Sequence, residues 1–297
     1  MLKKEIKLKK KELKGLLEGE EEVELDGIQA LLVVLEKDKK FWQSQVNKAN
    51  SLDEQVESKT FSEANLSWIA SVCEVDCRYR RWTQFVLDEN VTPSDRFKAN
   101  FIETQQVFHQ LNEAGRRVFL NLFLSDIVGS DPFLNTLRIF TEIPMEVLST
   151  NVVENGKKRR LNGKTDYTIG FGGVDLDMFD ITPPNELHLV AVEAKCNLSE
   201  SDFWQCFAET ATLYKSRKDK RKKKLAVWGV CSDAVDWIFI HIDQKGLLYR
   251  SEKYTLDLRT YEEQKIFPIY RMLYYLVDCC FQSSPHNSST DLAIIPK

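Results

Sequence analysis

Apolar positions along the chain keep helical spacing up to about residue 130 and take on strand character beyond it. Ile28, Leu31, Leu32, Leu35, Trp42 and Val46 recur three and four apart after a capping residue at Asp26. Thr60 and Glu63 have capping-box spacing, and Leu66, Ile69, Ala70, Cys73 and Cys77 continue one face behind them. Thr92-Pro93 reads as a helix start for Phe97, Phe101, Phe108 and Leu111. Beyond Gly115, Val118, Phe119, Leu122, Phe123 and Ile127 form another stripe. The pattern predicts an all-helical region over 1–130, opened by a weakly apolar arm that switches from basic to acidic. Gly129-Ser-Asp-Pro132 ends it. Strands are predicted at Ser149–Glu154, Thr165–Phe171 and Leu187–Lys195, with a loop over 172–186. A helix capped by Ser199 or Ser201 then carries Phe203, Trp204, Phe207 and Leu213. Strands at Leu225–Cys231 and Trp237–Ile242, a helix at Tyr261–Phe281 and a polar tail over 283–297 complete the chain.

The strand Leu-His-Leu-Val-Ala-Val-Glu-Ala-Lys-Cys, residues 187–196, is the most apolar of these and reads as buried on both faces. Side chains two apart on a strand point the same way, so Glu193 and Lys195 share a face at its end. A carboxylate and an ammonium there are costly unless paired or bound to something. Asp166 opens the preceding strand after an expected Asn162-Gly163 turn. An acid on one strand and E-x-K on the next suit a divalent metal with a lysine beside it.

Asp166 followed by Glu193-Ala194-Lys195 resembles the signature of the PD-(D/E)xK nucleases, the restriction-endonuclease-like superfamily, over roughly residues 131–250. Within that superfamily the chain resembles the nuclease-like domains of Crinkler-type effector proteins. The resemblance implies an α/β fold, α+β overall. A helical N-terminal region, 1–130, would serve as a partner or regulatory part. A restriction-endonuclease-like αβββαβ core with a central mixed sheet would follow over 131–282. It further implies Asp166, Glu193 and the carbonyl of Ala194 as ligands of Mg²⁺ or Mn²⁺. Lys195 would orient or help deprotonate the attacking water, and Gln205 would position the phosphate or the water. A further acid is common in the superfamily, and Glu142, Glu146 and Asp131 all stay open for that place. The implied substrate is nucleic acid, DNA before RNA. Two other readings stand beside it: a nuclease-like module that binds nucleic acid or protein without cutting, and a helical interaction protein with no enzymatic activity.

Charge sharpens the picture. The net charge is -4, yet Lys157, Lys158, Arg159 and Arg160 precede Asp166, and residues 215–224 hold eight basic residues and one acid. Lys220, Arg221, Lys222 and Lys223 in that second run are the candidates for phosphate contacts with the first cluster; the run also has the composition of a nuclear-import signal. Hydrophobic content of 43%, no apolar run near 18 residues and no secretory-type h-region predict an intracellular protein, cytoplasmic or nuclear, with no membrane span. Seven irregularly spaced cysteines predict free thiols. Cys73-x-x-x-Cys77 reads as a thiol pair, Asp175, Asp177 and Asp180 as a surface loop, His109 as a packed core-edge residue and His188 as a hydrogen-bonded structural residue of the buried strand. The absence of a G-x-x-x-x-G-K-[ST] loop and of a G-x-S-x-G elbow argues against an NTPase and an α/β-hydrolase.

Overall fold

A computed structural model of the chain describes residues 56–283 other than 84, 86, 109–111, 152–155, 172–187 and 196. All of these belong to one compact unit that begins at Val56. In chain order the described elements are β1 (Val56–Thr60), α1 (Leu66–Cys73), β2 (Asp76–Arg81), α2 (Asp95–Val107), α3 (Glu113–Val128), β3 (Leu137–Leu148), β4 (Lys158–Phe171), β5 (His188–Ala194), α4 (Glu200–Asp219), β6 (Val227–Ser232), β7 (Asp236–Ile242), β8 (Leu247–Arg250), β9 (Tyr254–Thr255) and α5 (Glu263–Gln282). The strands form one mixed sheet in the order β1-β4-β5-β6-β7-β8-β2, with β3 on the free edge of β4 and β9 beside β7.

The predicted strands β5 to β7 and the helices α4 and α5 lie where the pattern put them, within a few residues, whereas β4 ends as predicted but begins at Lys158, seven residues before the expected Thr165. The all-helical reading of 1–130 does not hold for its described part, since β1 and β2 join the same sheet as β4 and β8. Glu63 does accept from the Thr60 N–H at 3.1 Å, but this closes a turn; α1 starts later, capped by Asn65, whose Oδ1 accepts from the Trp68 N–H at 2.9 Å. Cys77 therefore falls on β2 rather than on a helix face with Cys73. Both thiols are free, and burial pushes Cys77 up to about 11. Ser94, not Thr92, caps α2. Of the strand expected at Ser149–Glu154, Ser149, Thr150 and Asn151 follow the end of β3 without strand structure, and 152–154 lie outside the described residues; the strand of this region is β3. Pro144 inside β3 hides it from a pattern search, and the residue is tolerated because β3 is an edge strand. The predicted turn at Asn162-Gly163 is mid-strand; there Gly163 leaves room for the Phe61 ring, which a Cβ would meet at 2.5 Å. His109 and the Asp175, Asp177 and Asp180 loop lie outside the described residues, as does the side chain of His188.

α2, α3 and α5 pack on one face of the sheet through a ring cluster in which Phe123 lies 4.9 Å from Phe97 and 5.0 Å from Trp237. α4 packs on β5 and β6 on the other face, and α1 and the far half of β3 close over its outer side. Its residues 206–215 are consequently buried all round. Small side chains make this possible. Gly229 of β6 admits the Thr210 hydroxyl of α4, which a Cβ would meet at 2.2 Å. Thr210 and Thr212 satisfy their buried hydroxyls by donating to the carbonyls of Cys206 and Ala208 at 2.8 and 2.9 Å. Lys215, 1% exposed, donates to Glu74 at 3.0 Å, Thr150 at 2.6 Å and Asp219 at 2.7 Å. Substituting Gly229→Ala should therefore push α4 off the sheet and lower stability by about 1–3 kcal/mol. Urea denaturation checks it, and adding Thr210→Ala should recover part of the loss.

Candidate active site

Residue pairing places the acid. One edge of β4 pairs β1 over 158–162 and β5 over 167–170, so residues 163–166 of that edge face a split between the two neighbours. Asp166 lies there, and its Oδ2 accepts from the Ala194 N–H at 2.8 Å. That bond brings it beside the E-x-K segment. The strand pair is irregular at this point: Glu142, opposite on β3, has φ 54°, the left-handed region that disfavours a side chain. On either side of the irregularity β4 faces different helices. Tyr167 bonds to Asn121 of α3, whereas Thr165 donates to Glu209 of α4 at 3.1 Å.

Glu193 ends β5, 2% exposed, and its Oε1 lies 2.5 Å from the Lys195 ammonium and accepts from the Gln205 amide at 2.6 Å. Gln205 also presents its Oε1 to Lys195 at 3.2 Å and its amide N–H to Glu209 at 3.3 Å. The capping box of Ser199 and Asp202 starts α4 close behind β5, and this puts Gln205 over the strand end. Asp166, Glu193, Lys195 and Gln205 are thus brought together. Asp166 and Glu193 do not share one helix-facing side. Glu193 looks to α4, and Asp166 reaches Arg117 of α3 in a short ion pair.

Burial pushes the Asp166 carboxyl up, against the Ala194 N–H, Arg117 and Lys195, which favour its charge. Burial likewise raises Glu193, and the Asp166 charge adds to it. Glu209, 0% exposed, is raised well above the carboxylate range by burial and by the charge of Glu193, to which it is hydrogen-bonded. Burial beside that charge favours its protonated form, which can donate to Glu193. Burial depresses Lys195, but its bond to Glu193 and that charge more than offset this, so the ammonium persists at neutral pH.

Among the described residues no group of three or more His, Cys, Asp and Glu side chains is arranged to hold an ion. The donor set still fits a hard divalent ion, which takes one or two carboxylates and fills its shell with water. Asp166 and Glu193 are such carboxylates, mutually repelling and flanked by Arg117 and Lys195.

Of the further acids, Glu142 lies 3.6 Å from Arg117, Glu146 pairs with Arg160 at 3.3 Å, and Asp131 stands in the turn before β3. The acid linked to Asp166 from a preceding helix is Glu113 of α3, through Arg117 at 2.8 Å. Glu113, Arg117, Thr165 and Glu209 escape a sequence reading. Only Glu209 leaves a trace, four residues after Gln205 and so on the same helix face.

The basic clusters do not adjoin the carboxylates. Arg159 stacks 4.7 Å over the Trp68 ring and donates to Ser71 at 3.1 Å, and Lys157 and Lys158 are exposed. Lys220, Arg221, Lys222 and Lys223 are exposed past the far end of α4, which from Gln205 to Lys220 runs about 22 Å. Lys215 and Arg217 of that run are buried parts of the fold. A groove of about 560 Å³ between α2, α3 and α5, lined by Ser94, Phe97, Asp126 and Tyr270, holds none of the candidate residues. No helix among the described residues is long and apolar enough to cross a membrane. No protein-family model matches the chain, and no curated protein matches it.

Glu209 has its pKa raised in the fold, so the folded state holds a proton that the unfolded state releases above about pH 4.3. Stability contributed by this acid is full below that pH and is lost as pH rises toward the folded pKa. Glu209→Gln should remove this loss. The variant is expected to gain stability over the unaltered chain from pH 5 to pH 8, measured as the denaturation midpoint against pH, with the two curves meeting near pH 4.

Proposed function

We propose that the chain is a metal-dependent nuclease of the PD-(D/E)xK kind, hydrolysing phosphodiester bonds of nucleic acid, DNA before RNA. The observation that carries this reading is the bond from the Ala194 N–H to Asp166, which sets the acid of one strand against the E-x-K of the next at the mouth of a buried β5. The order α3-β3-β4-β5-α4-β6, with Gln205 on the helix after the motif, supports it.

Asp166 and Glu193, with the carbonyl of Ala194, would hold Mg²⁺ or Mn²⁺. When bound, the ion acidifies a water and neutralises phosphate charge. Lys195 stays protonated beside Glu193, so its part is to orient the nucleophile and stabilise charge developing on the phosphate rather than to remove a proton. Gln205 holds that ammonium through its amide oxygen and Glu193 through its amide nitrogen, and so fixes both. Glu209 donates to Glu193 and receives from Thr165, which locks the carboxylate from behind.

Cleavage of single- and double-stranded DNA and of RNA in Mg²⁺ or Mn²⁺ tests the reading. EDTA should stop it, and Asp166→Ala, Glu193→Ala or Lys195→Ala should each lower the rate by roughly 100-fold or more. EDTA-resistant cleavage, or full activity in the Glu193 variant, excludes the mechanism.

A further inference from the structure

We propose that Arg117 is an internal counter-cation for Asp166 that a divalent ion must displace, so that this arginine sets the ion affinity of the site. The inference rests on the reading of Asp166 and Glu193 as ion ligands.

The two oxygens of Asp166 are differently engaged. Oδ2 is held by the Ala194 N–H, a backbone group that cannot leave, and Oδ1 is taken by the Arg117 guanidinium. An incoming ion therefore meets the arginine on the oxygen that the backbone leaves free. Asp166 has only 15% of its side chain exposed and sits beside the buried Glu193, so without a cation it would be a nearly buried, repelled carboxylate. Arg117 supplies that charge from α3, on the opposite side from the Lys195 that serves Glu193.

The arginine also has somewhere to go. The guanidinium nitrogen that holds Asp166 lies 2.8 Å from Glu113, four residues back on the same helix, and its other terminal nitrogen lies 3.6 Å from Glu142. Both acids are far more exposed than Asp166, with side-chain exposures of 44% and 57%. Releasing Asp166 leaves Arg117 paired with two carboxylates at the surface, where a guanidinium is readily hydrated, and calls for side-chain rotation alone. The irregularity at Glu142 brings that acid opposite Asp166 in the strand pair. Glu113, Arg117, Glu142 and Asp166 thus make a relay of one cation among three anions, with the ion as competitor for one of them.

Binding of Mn²⁺ to the full chain, followed by calorimetry or by electron paramagnetic resonance of the free ion, tests this apart from catalysis. Arg117→Met should bind Mn²⁺ about tenfold more tightly, the ratio set by one charge-assisted hydrogen bond net of water. Lys164→Met removes an exposed cation two residues from Asp166 and should change affinity by less than about twofold, as a screened charge does. Arg117→Lys keeps the charge without the fork and should fall between the unaltered chain and Arg117→Met. Thermal unfolding with and without Mn²⁺ guards against a folding defect: the ion should raise the midpoint more in Arg117→Met than in the unaltered chain. If Arg117→Met binds no more tightly than Lys164→Met, the proposal is overturned while the ligand reading stands. If neither the unaltered chain nor Arg117→Met binds Mn²⁺, the ligand reading falls and takes the proposal with it.

Discussion

Everything around the candidate site follows from the enclosure of α4. A helix that packs only on a sheet keeps a wet face for its polar residues. This one has the sheet on one side and α1 and the far half of β3 on the other, so each polar group along its middle must find a partner inside the protein. The threonines bond back to the helix, Lys215 is surrounded by three acceptors, and Gln205 and Glu209 turn to the end of β5. The chemistry at Glu193 is the polar end of a burial problem whose apolar part is solved by Cys206, Ala208, Ala211 and Gly229.

The same enclosure explains the split in the sheet. β3 and β4 are too long to remain beside β5, and their far halves leave it to lie over α4 with β1. The parting of the two neighbours of β4 falls at residues 163–166, which leaves the Asp166 side chain, rather than another strand, to satisfy the Ala194 N–H. A carboxylate doing the work of a backbone carbonyl at a sheet junction is held in place by the fold itself.

This division between local and non-local causes decides what could be read from the sequence. β5, α4 and α5 carry their own signals: a continuous apolar run, a capping box and a helical stripe. The proximity of Asp166, Glu193, Lys195 and Gln205 was legible because Glu193 and Gln205 sit on those elements, Lys195 directly follows β5, and Asp166 lies on the strand before. β1 and β2 were not, since Val-Glu-Ser-Lys-Thr and Asp-Cys-Arg-Tyr-Arg-Arg are polar edge strands whose pairing comes from β4 and β8 alone. β3 was obscured by Pro144, and Asn162-Gly163 offered turn chemistry that the Phe61 ring overrides. Arg117 was out of reach for a different reason. Nothing within α3 distinguishes it from Arg116, which pairs with Asp233 at 2.5 Å instead; only the placement of the helix beside β4 and the end of β6 assigns each arginine its acid.

The balance of charge bears on why such a site persists. The buried Glu193 and Glu209, the part-buried Asp166, an ammonium and a guanidinium meet where apolar side chains of similar volume would fill the same space without desolvating any charge. Ion pairs of this kind seldom stabilise a fold relative to such a replacement. Each partner nevertheless depends on the others: removing Lys195 or Arg117 would leave a carboxylate repelled by its neighbour, and removing Gln205 would free both the ammonium and Glu193. An arrangement that is costly as a whole, and from which Lys195, Arg117 or Gln205 cannot be lost cheaply, is where local rules of core packing are expected to yield to chemistry. On that ground the end of β5, and not the roomier groove between α2, α3 and α5, is the candidate site for the chemistry we propose.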